Sequence, residues 1–144
     1  MKILINMTNI QILNKLYAEY KAYEIGGVLL GKKVNEDILI TNIIFNVDVE
    51  KLSRNKYVRN ILGIKDVMID IIEKSNYEVD YIGEWHTHIG ISTVFSNIDR
   101  KAMIELIEDF PELVLLIKGK IDISAFLFTN KSIRKLTIEL TEDI

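Results

Sequence analysis

The chain has 144 residues, with one proline, two histidines, no cysteine, 49% hydrophobic residues and 27% charged residues. That balance predicts one globular domain over residues 1–144 rather than a disordered chain, and the missing thiols exclude disulfides, iron–sulfur clusters, cysteine nucleophiles and thiolate zinc sites. A net charge of −3 with a pI near 5.4 argues against a nucleic-acid partner, and no apolar run has the length of a membrane span or the form of a signal sequence, which makes the cytoplasm the expected location.

Lys2–Asn6 reads as a short strand. Thr8-Asn9-Ile10-Gln11 has the form of a capping box, and Ile10, Leu13, Leu16, Tyr17 and Tyr20 recur at helical spacing. A helix to about Ala22 is expected. Ile25–Gly31 is an apolar strand with three glycines, Asn35-Glu36-Asp37 a turn, and Ile38–Val47 a β-branched strand that pairs back as a hairpin. Asp48–Asn60 is polar and reads as a loop. Asn60 is placed to cap a second helix with Ile64, Val67, Met68, Ile71 and Ile72 as its apolar stripe.

Tyr77–His88 reads as a strand and Ile89–Phe95 as a loop. A third helix starts near Ser96, with Ile98, Ala102, Met103, Leu106 and Ile107 on one face, and Pro111 ends it. Leu113–Ile117, Ile121–Thr129 and Ile133–Leu140 follow as strands joined by tight turns. Strands so joined are antiparallel neighbours. The expected class is α+β, a mixed sheet with helices packed on it. No Gly-x-Gly-x-x-Gly joins a strand to a helix, so a dinucleotide fold has no support.

Both histidines fall in His86-Thr87-His88, at the end of a predicted strand. Alternate strand residues share a face, about 6.5–7 Å apart, so the two imidazoles can converge on one ion. Asp99 offers a third ligand. Two histidines and a carboxylate leave one position of tetrahedral zinc for water, as catalytic sites do. Such an ion activates water and polarises a carbonyl. Glu24, just before Gly26-Gly27, is the candidate base, and Ser96, three residues before Asp99, the candidate donor to an oxyanion.

Blander readings stand beside these. Ser96-x-x-Asp99 is also an ordinary capping box, a histidine pair can be solvated strand surface, and Glu24 can be a surface carboxylate. Glu84 shares the histidines' face by alternation and is a rival base, whereas Trp85 points to the opposite, core face. Lys51, Arg54, Lys56 and Arg59 form either a solvated basic loop or a dock for an acidic substrate.

Taken together, Glu24, His86-Thr87-His88, seven intervening residues and Ser96-Asn97-Ile98-Asp99 resemble the JAMM (MPN-plus, JAB-domain) zinc metallopeptidases of bacterial or archaeal type. Glu24-Ile25-Gly26-Gly27-Val28-Leu29-Leu30-Gly31 resembles that family's Glu-x-Gly-Gly-x-Leu-x-Gly strand, and the likeness spans roughly residues 2–130. The resemblance implies a mixed, curved sheet flanked by helices, related to the cytidine-deaminase type of metal fold. It implies one zinc on His86, His88 and Asp99, with Glu24 as acid/base and Ser96 stabilising the oxyanion. It implies cleavage after the C-terminal tail of a ubiquitin-like or sulfur-carrier protein, with E1/E2-like enzymes as further partners; the acidic pI and the lack of a membrane-length apolar run are what weigh against nucleic acid and membrane. Ile89 stands where the family usually has proline after the second histidine. The alternatives are an MPN-type scaffold without catalysis, and a hydrolase using the same site on another substrate. The tail of the substrate is expected to pair with the edge near Ile89–Phe95 by strand addition.

Overall fold

The computed structural model describes residues 1–45, 52–54, 57 and 63–142. In chain order the elements are β1 (Ile3–Asn6), α1 (Met7–Glu19), β2 (Gly26–Val34), β3 (Asp37–Phe45), α2 (Lys65–Lys74), β4 (Asp80–Thr87), α3 (Asn97–Leu106), β5 (Glu112–Lys118), β6 (Ile123–Thr129), β7 (Ile133–Leu136) and β8 (Ile138–Thr141). The strands form one mixed sheet in the order β7-β6-β5-β4-β2-β3-β1-β8. As expected, the hairpins β2–β3, β5–β6 and β6–β7 are antiparallel, while β4 runs parallel to β5 with α3 between them in sequence.

The class is the expected α+β with a curved mixed sheet. Curvature follows from one connection. Only Thr137 separates β7 from β8, yet these strands lie at opposite ends of the strand order. One residue spans at most about 3.6 Å, so the sheet must curl until its edges nearly meet. Ile3 N donates to the Thr137 carbonyl at 2.9 Å, tying the junction to β1. The single strand expected over Ile133–Leu140 is therefore two, which serve opposite edges.

Both faces of the sheet are covered. On one, Leu13 of α1 packs with Ile3, Ile5, Leu29, Trp85 and Val114; on the other, Met103 of α3 packs with Leu113, Leu115 and Phe128. Burial on both sides explains why β2 and β5 read as continuous apolar runs instead of alternating ones. The α2 residues Met68, Ile71 and Ile72 pack against Val28 and Leu30, but Val67 is exposed and leaves the expected stripe.

Boundaries moved where local chemistry outweighed pattern. Asn6, not Thr8, caps α1, its side chain accepting from Asn9 N at 2.9 Å, and the helix stops at Glu19. The α2 cap position is Ile64; Asn60 and residues 46–47 of the expected third strand lie outside the described residues. Asn76 and Tyr77 hold positive φ, which no strand accommodates, so β4 begins at Asp80. Helix α3 ends at Leu106, before Pro111, and Ile98 on it is exposed. Among the described residues no helix is long and apolar enough to cross a membrane.

Candidate metal centre

Strand β4 carries His86, and His88 follows directly after its last residue, Thr87. Its alternation puts Trp85 and Thr87 on the α1 side of the sheet and Glu84 and His86 on the α3 side. Trp85 is fully buried, and its indole Nε1 donates to the Ile44 carbonyl at 3.0 Å. Gly27 makes room for that indole, since a β-carbon there would collide with the Ile44 carbonyl and lie 2.9 Å from Nε1. Gly26 pairs with His86 across β2 and β4. A β-carbon on Gly26 would collide with the Trp85 carbonyl and come within 2.9 Å of both His86 Cβ and the Tyr57 ring. Gly26 thus keeps space beside His86 and Gly27 keeps space for the core indole, rather than the pair merely bending the strand.

The N-terminus of α3 supplies the third group. Ser96 caps the helix in a complete capping box: Asp99 N donates to Ser96 Oγ at 3.1 Å, and Ser96 N donates to Asp99 Oδ2 at 2.8 Å. The same Oδ2 lies 3.2 Å from His86 Nε2 and 3.1 Å from His88 Nε2, and the two Nε2 atoms are 3.2 Å apart. Burial alone would raise the Asp99 carboxyl, but hydrogen bonds from His86, His88 and the Ser96 amide outweigh it and hold the group well below the ordinary carboxylate range. The capping reading and the ligand reading of Ser96-x-x-Asp99 are one geometry.

The donor set fits a small divalent cation. Ligand atoms about 2.0–2.1 Å from a tetrahedral zinc lie roughly 3.3–3.4 Å from one another, close to the three edges observed here. His88 Nδ1 is 3.2 Å from the Ser92 carbonyl, which can only accept; the protonated ring donates from both nitrogens, to Ser92 and to Asp99, whereas a neutral ring that keeps its proton on Nδ1 would offer Nε2 to a metal instead. His86 is held differently, stacked on Tyr57 with ring centroids 6.1 Å apart. The hydrogen bond to Asp99 raises His88 above its ordinary value, with burial opposing. Among the described residues, His86, His88 and Asp99 are the group able to hold a metal ion.

Residues 10–131 match the family of prokaryotic homologs of the JAB domain. The chain belongs to this family. A relative from Escherichia coli (strain TW11681), named CD-NTase/cGAS isopeptidase, is 29% identical over 117 residues, covering 81% of this chain and 75% of that protein. The fold is similar to the solution structure of protein DSY2949 from Desulfitobacterium hafniense, with a TM-score of 0.71 at 15% identity over 99% of this chain and 94% of that one.

Within this JAB domain Glu24 is half-buried just ahead of β2, and its amide donates to the Ser53 carbonyl at 2.7 Å. Burial pushes its carboxyl up to about 7, with the charge of His88 opposing and that of Asp99 adding, so it lies within electrostatic reach of both. The rival Glu84 is buried, and Tyr81 Oη donates to its Oε2 at 2.6 Å. Glu84 lines a cavity of about 110 Å³ with Tyr57, His86 and Asp99. The 89–95 segment is an irregular loop, not a strand, with Phe95 edge-on to Phe126 at 4.9 Å. Of the basic loop, Arg54 is exposed, and Lys51, Lys56 and Arg59 lie outside the described residues.

Sequence reasoning missed Tyr57, which sits in a polar stretch with no periodicity to mark it. It also missed Tyr17 of α1, read only as part of an apolar stripe. Tyr17 Oη donates to the Ile89 carbonyl at 2.9 Å, and Lys118 Nζ lies 4.9 Å from the Tyr17 ring centroid. This holds the chain directly after His88 at the position where the family usually has proline.

Proposed function

We propose that this JAB domain is a zinc-dependent isopeptidase, acting in the cytoplasm on the bond that follows the C-terminal tail of a ubiquitin-like or sulfur-carrier protein. The observation that carries the reading is the triangle of His86 Nε2, His88 Nε2 and Asp99 Oδ2, with edges of 3.1–3.2 Å and a half-buried carboxyl in electrostatic reach. A zinc ion bound there supplies Lewis-acid polarisation of the carbonyl and lowers the pKa of water. Glu24 takes the proton of the attacking water and delivers it to the leaving amine, the part of a half-buried carboxyl beside the centre. Ser96 Oγ accepts from the Asp99 amide, which leaves its own proton free to donate to the oxygen that becomes negative in the tetrahedral intermediate. The name of the Escherichia coli relative supports an isopeptide bond, and it adds a nucleotidyltransferase conjugate as a candidate substrate for this chain.

The test uses the zinc-loaded protein and a ubiquitin-like tail joined through its terminal carboxylate to a lysine side chain. Wild type should release the tail. Glu24→Gln should keep about one zinc per chain and lose about 10²- to 10⁴-fold in turnover. A zinc-loaded wild type that cleaves neither tail conjugates nor tail peptides sinks the tail-isopeptidase reading in favour of the scaffold or of a same-site hydrolase with another substrate. Full turnover in Glu24→Gln sinks Glu24 as base.

A further inference from the structure

Thr87 stands between the two histidines but faces away from them, on the α1 side of β4, and is 1% exposed. Where β2 begins, Thr87 N donates to the Ile25 carbonyl at 2.8 Å. A regular antiparallel pair would return the second bond from Ile25 N to the Thr87 carbonyl. Here Ile25 N donates to Thr87 Oγ1 instead, at 3.0 Å, and Oγ1 in turn donates to the Tyr23 carbonyl at 3.4 Å. The side-chain oxygen replaces the main-chain one, which frees the chain after Thr87 to turn and present His88.

These bonds surround one residue. The Tyr23 carbonyl belongs to the peptide plane before Glu24, and the Ile25 amide to the plane after it. Those two planes define φ and ψ of Glu24, and φ and ψ set the direction in which its side chain leaves the backbone. A single hydroxyl holds both. The Glu24 amide, bonded to the Ser53 carbonyl at 2.7 Å, adds a third restraint on the first plane.

We infer that Thr87 is a positioning residue for Glu24, its hydroxyl fixing the backbone on either side of the base from the opposite face of the strand that carries the zinc ligands. This rests on the reading of Glu24 as base. It predicts that the middle residue of His86-Thr87-His88 acts on turnover and not on metal binding.

The experiment compares Thr87→Val, which removes the hydroxyl at nearly constant shape, with Thr87→Ser, which keeps it, both zinc-loaded on the same substrate. Thr87→Val should hold about one zinc per chain and keep KM, while kcat falls about 10- to 100-fold, as expected for a misplaced catalytic group. Thr87→Ser should restore most of kcat. The Ile25 amide, read by hydrogen exchange, should lose protection in Thr87→Val and regain it in Thr87→Ser. Wild-type kcat in Thr87→Val overturns the inference. So does an equal loss in both variants, or loss of zinc in Thr87→Val, which would make Thr87 a support of the ligands instead. If wild type itself proves inactive, the isopeptidase reading fails separately, and unchanged Ile25 protection in Thr87→Val would still overturn the clamp.

Discussion

Replacing Glu24 with glutamine should stabilise the metal-free protein at alkaline pH even as it removes the proposed base. Burial moves this carboxyl from its ordinary 4.5 up to about 7. The unfolded chain therefore ionises near 4.5 and the folded chain near 7. Folding is penalised wherever the unfolded state has released a proton that the folded state keeps or gives up only against burial. The penalty is absent below the unfolded value, grows between the two and is complete above the folded one. At about 1.4 kcal/mol for each tenfold change, the interval sets a ceiling of about 3 kcal/mol. Solvent around a half-exposed group reduces this to about 1–2 kcal/mol. Glutamine keeps the shape and removes the charge. Urea unfolding of chelator-treated wild type and Glu24→Gln should show the variant more stable, by a margin that widens by about 1 kcal/mol between about pH 5.5 and pH 8.5. Zinc should shrink the margin, because a cation favours the carboxylate. A margin independent of pH, or a variant less stable at the alkaline end, refutes the argument.

Three further outcomes are expected. His88→Ala and Asp99→Asn should each drop bound zinc from about one per chain to a small fraction, since each removes one of three ligand atoms and the only other histidine, His86, already sits in the group; metal analysis after dialysis checks this, and full zinc content in either variant contradicts the site. Zinc affinity should weaken as pH falls through the raised value of His88, because proton and metal compete for Nε2; a competition titration showing equal affinity at about pH 6 and pH 8 contradicts it. Tyr17→Phe removes the bond to the Ile89 carbonyl, and it should lower stability by about 1 kcal/mol and weaken zinc binding several-fold, read by thermal unfolding and by the same titration.

The candidate site was legible because its parts are local. The His-x-His spacing at a strand end sets His86 on β4 and His88 just beyond it, and a helix start alone explains Ser96 and Asp99. What joins them is not local. The crossover through α3 brings Asp99 back to β4, where ligand chemistry offered it as a third group and the resemblance singled out its spacing. The fold was legible where turns are short, as at Asn35-Glu36, and illegible at Thr137, where one residue carries the chain between opposite sheet edges. No propensity marks such a position, because its conformation is dictated by closure of the whole sheet. Thr8 misled for a related reason. Asn6 and Thr8 are both good caps, and β1 ends at Asn6, so tertiary placement chose the earlier one.

The strand β4 serves two tasks with its two faces, and that separates the ways the protein can fail. On the α3 side each ligand has a partner other than the ion: Ser92 for His88, the Ser96 amide for Asp99 and the Tyr57 ring for His86. These contacts orient the three groups from within the protein, whatever they hold between them. On the α1 side, Trp85 anchors the strand in the core and Thr87 reaches the backbone around Glu24. Damage to the first face should cost metal, damage to the Thr87 hydroxyl should cost turnover with metal in place, and damage to Trp85 should cost the fold and with it both. A site in which base and ligands shared one support could not show that ordering.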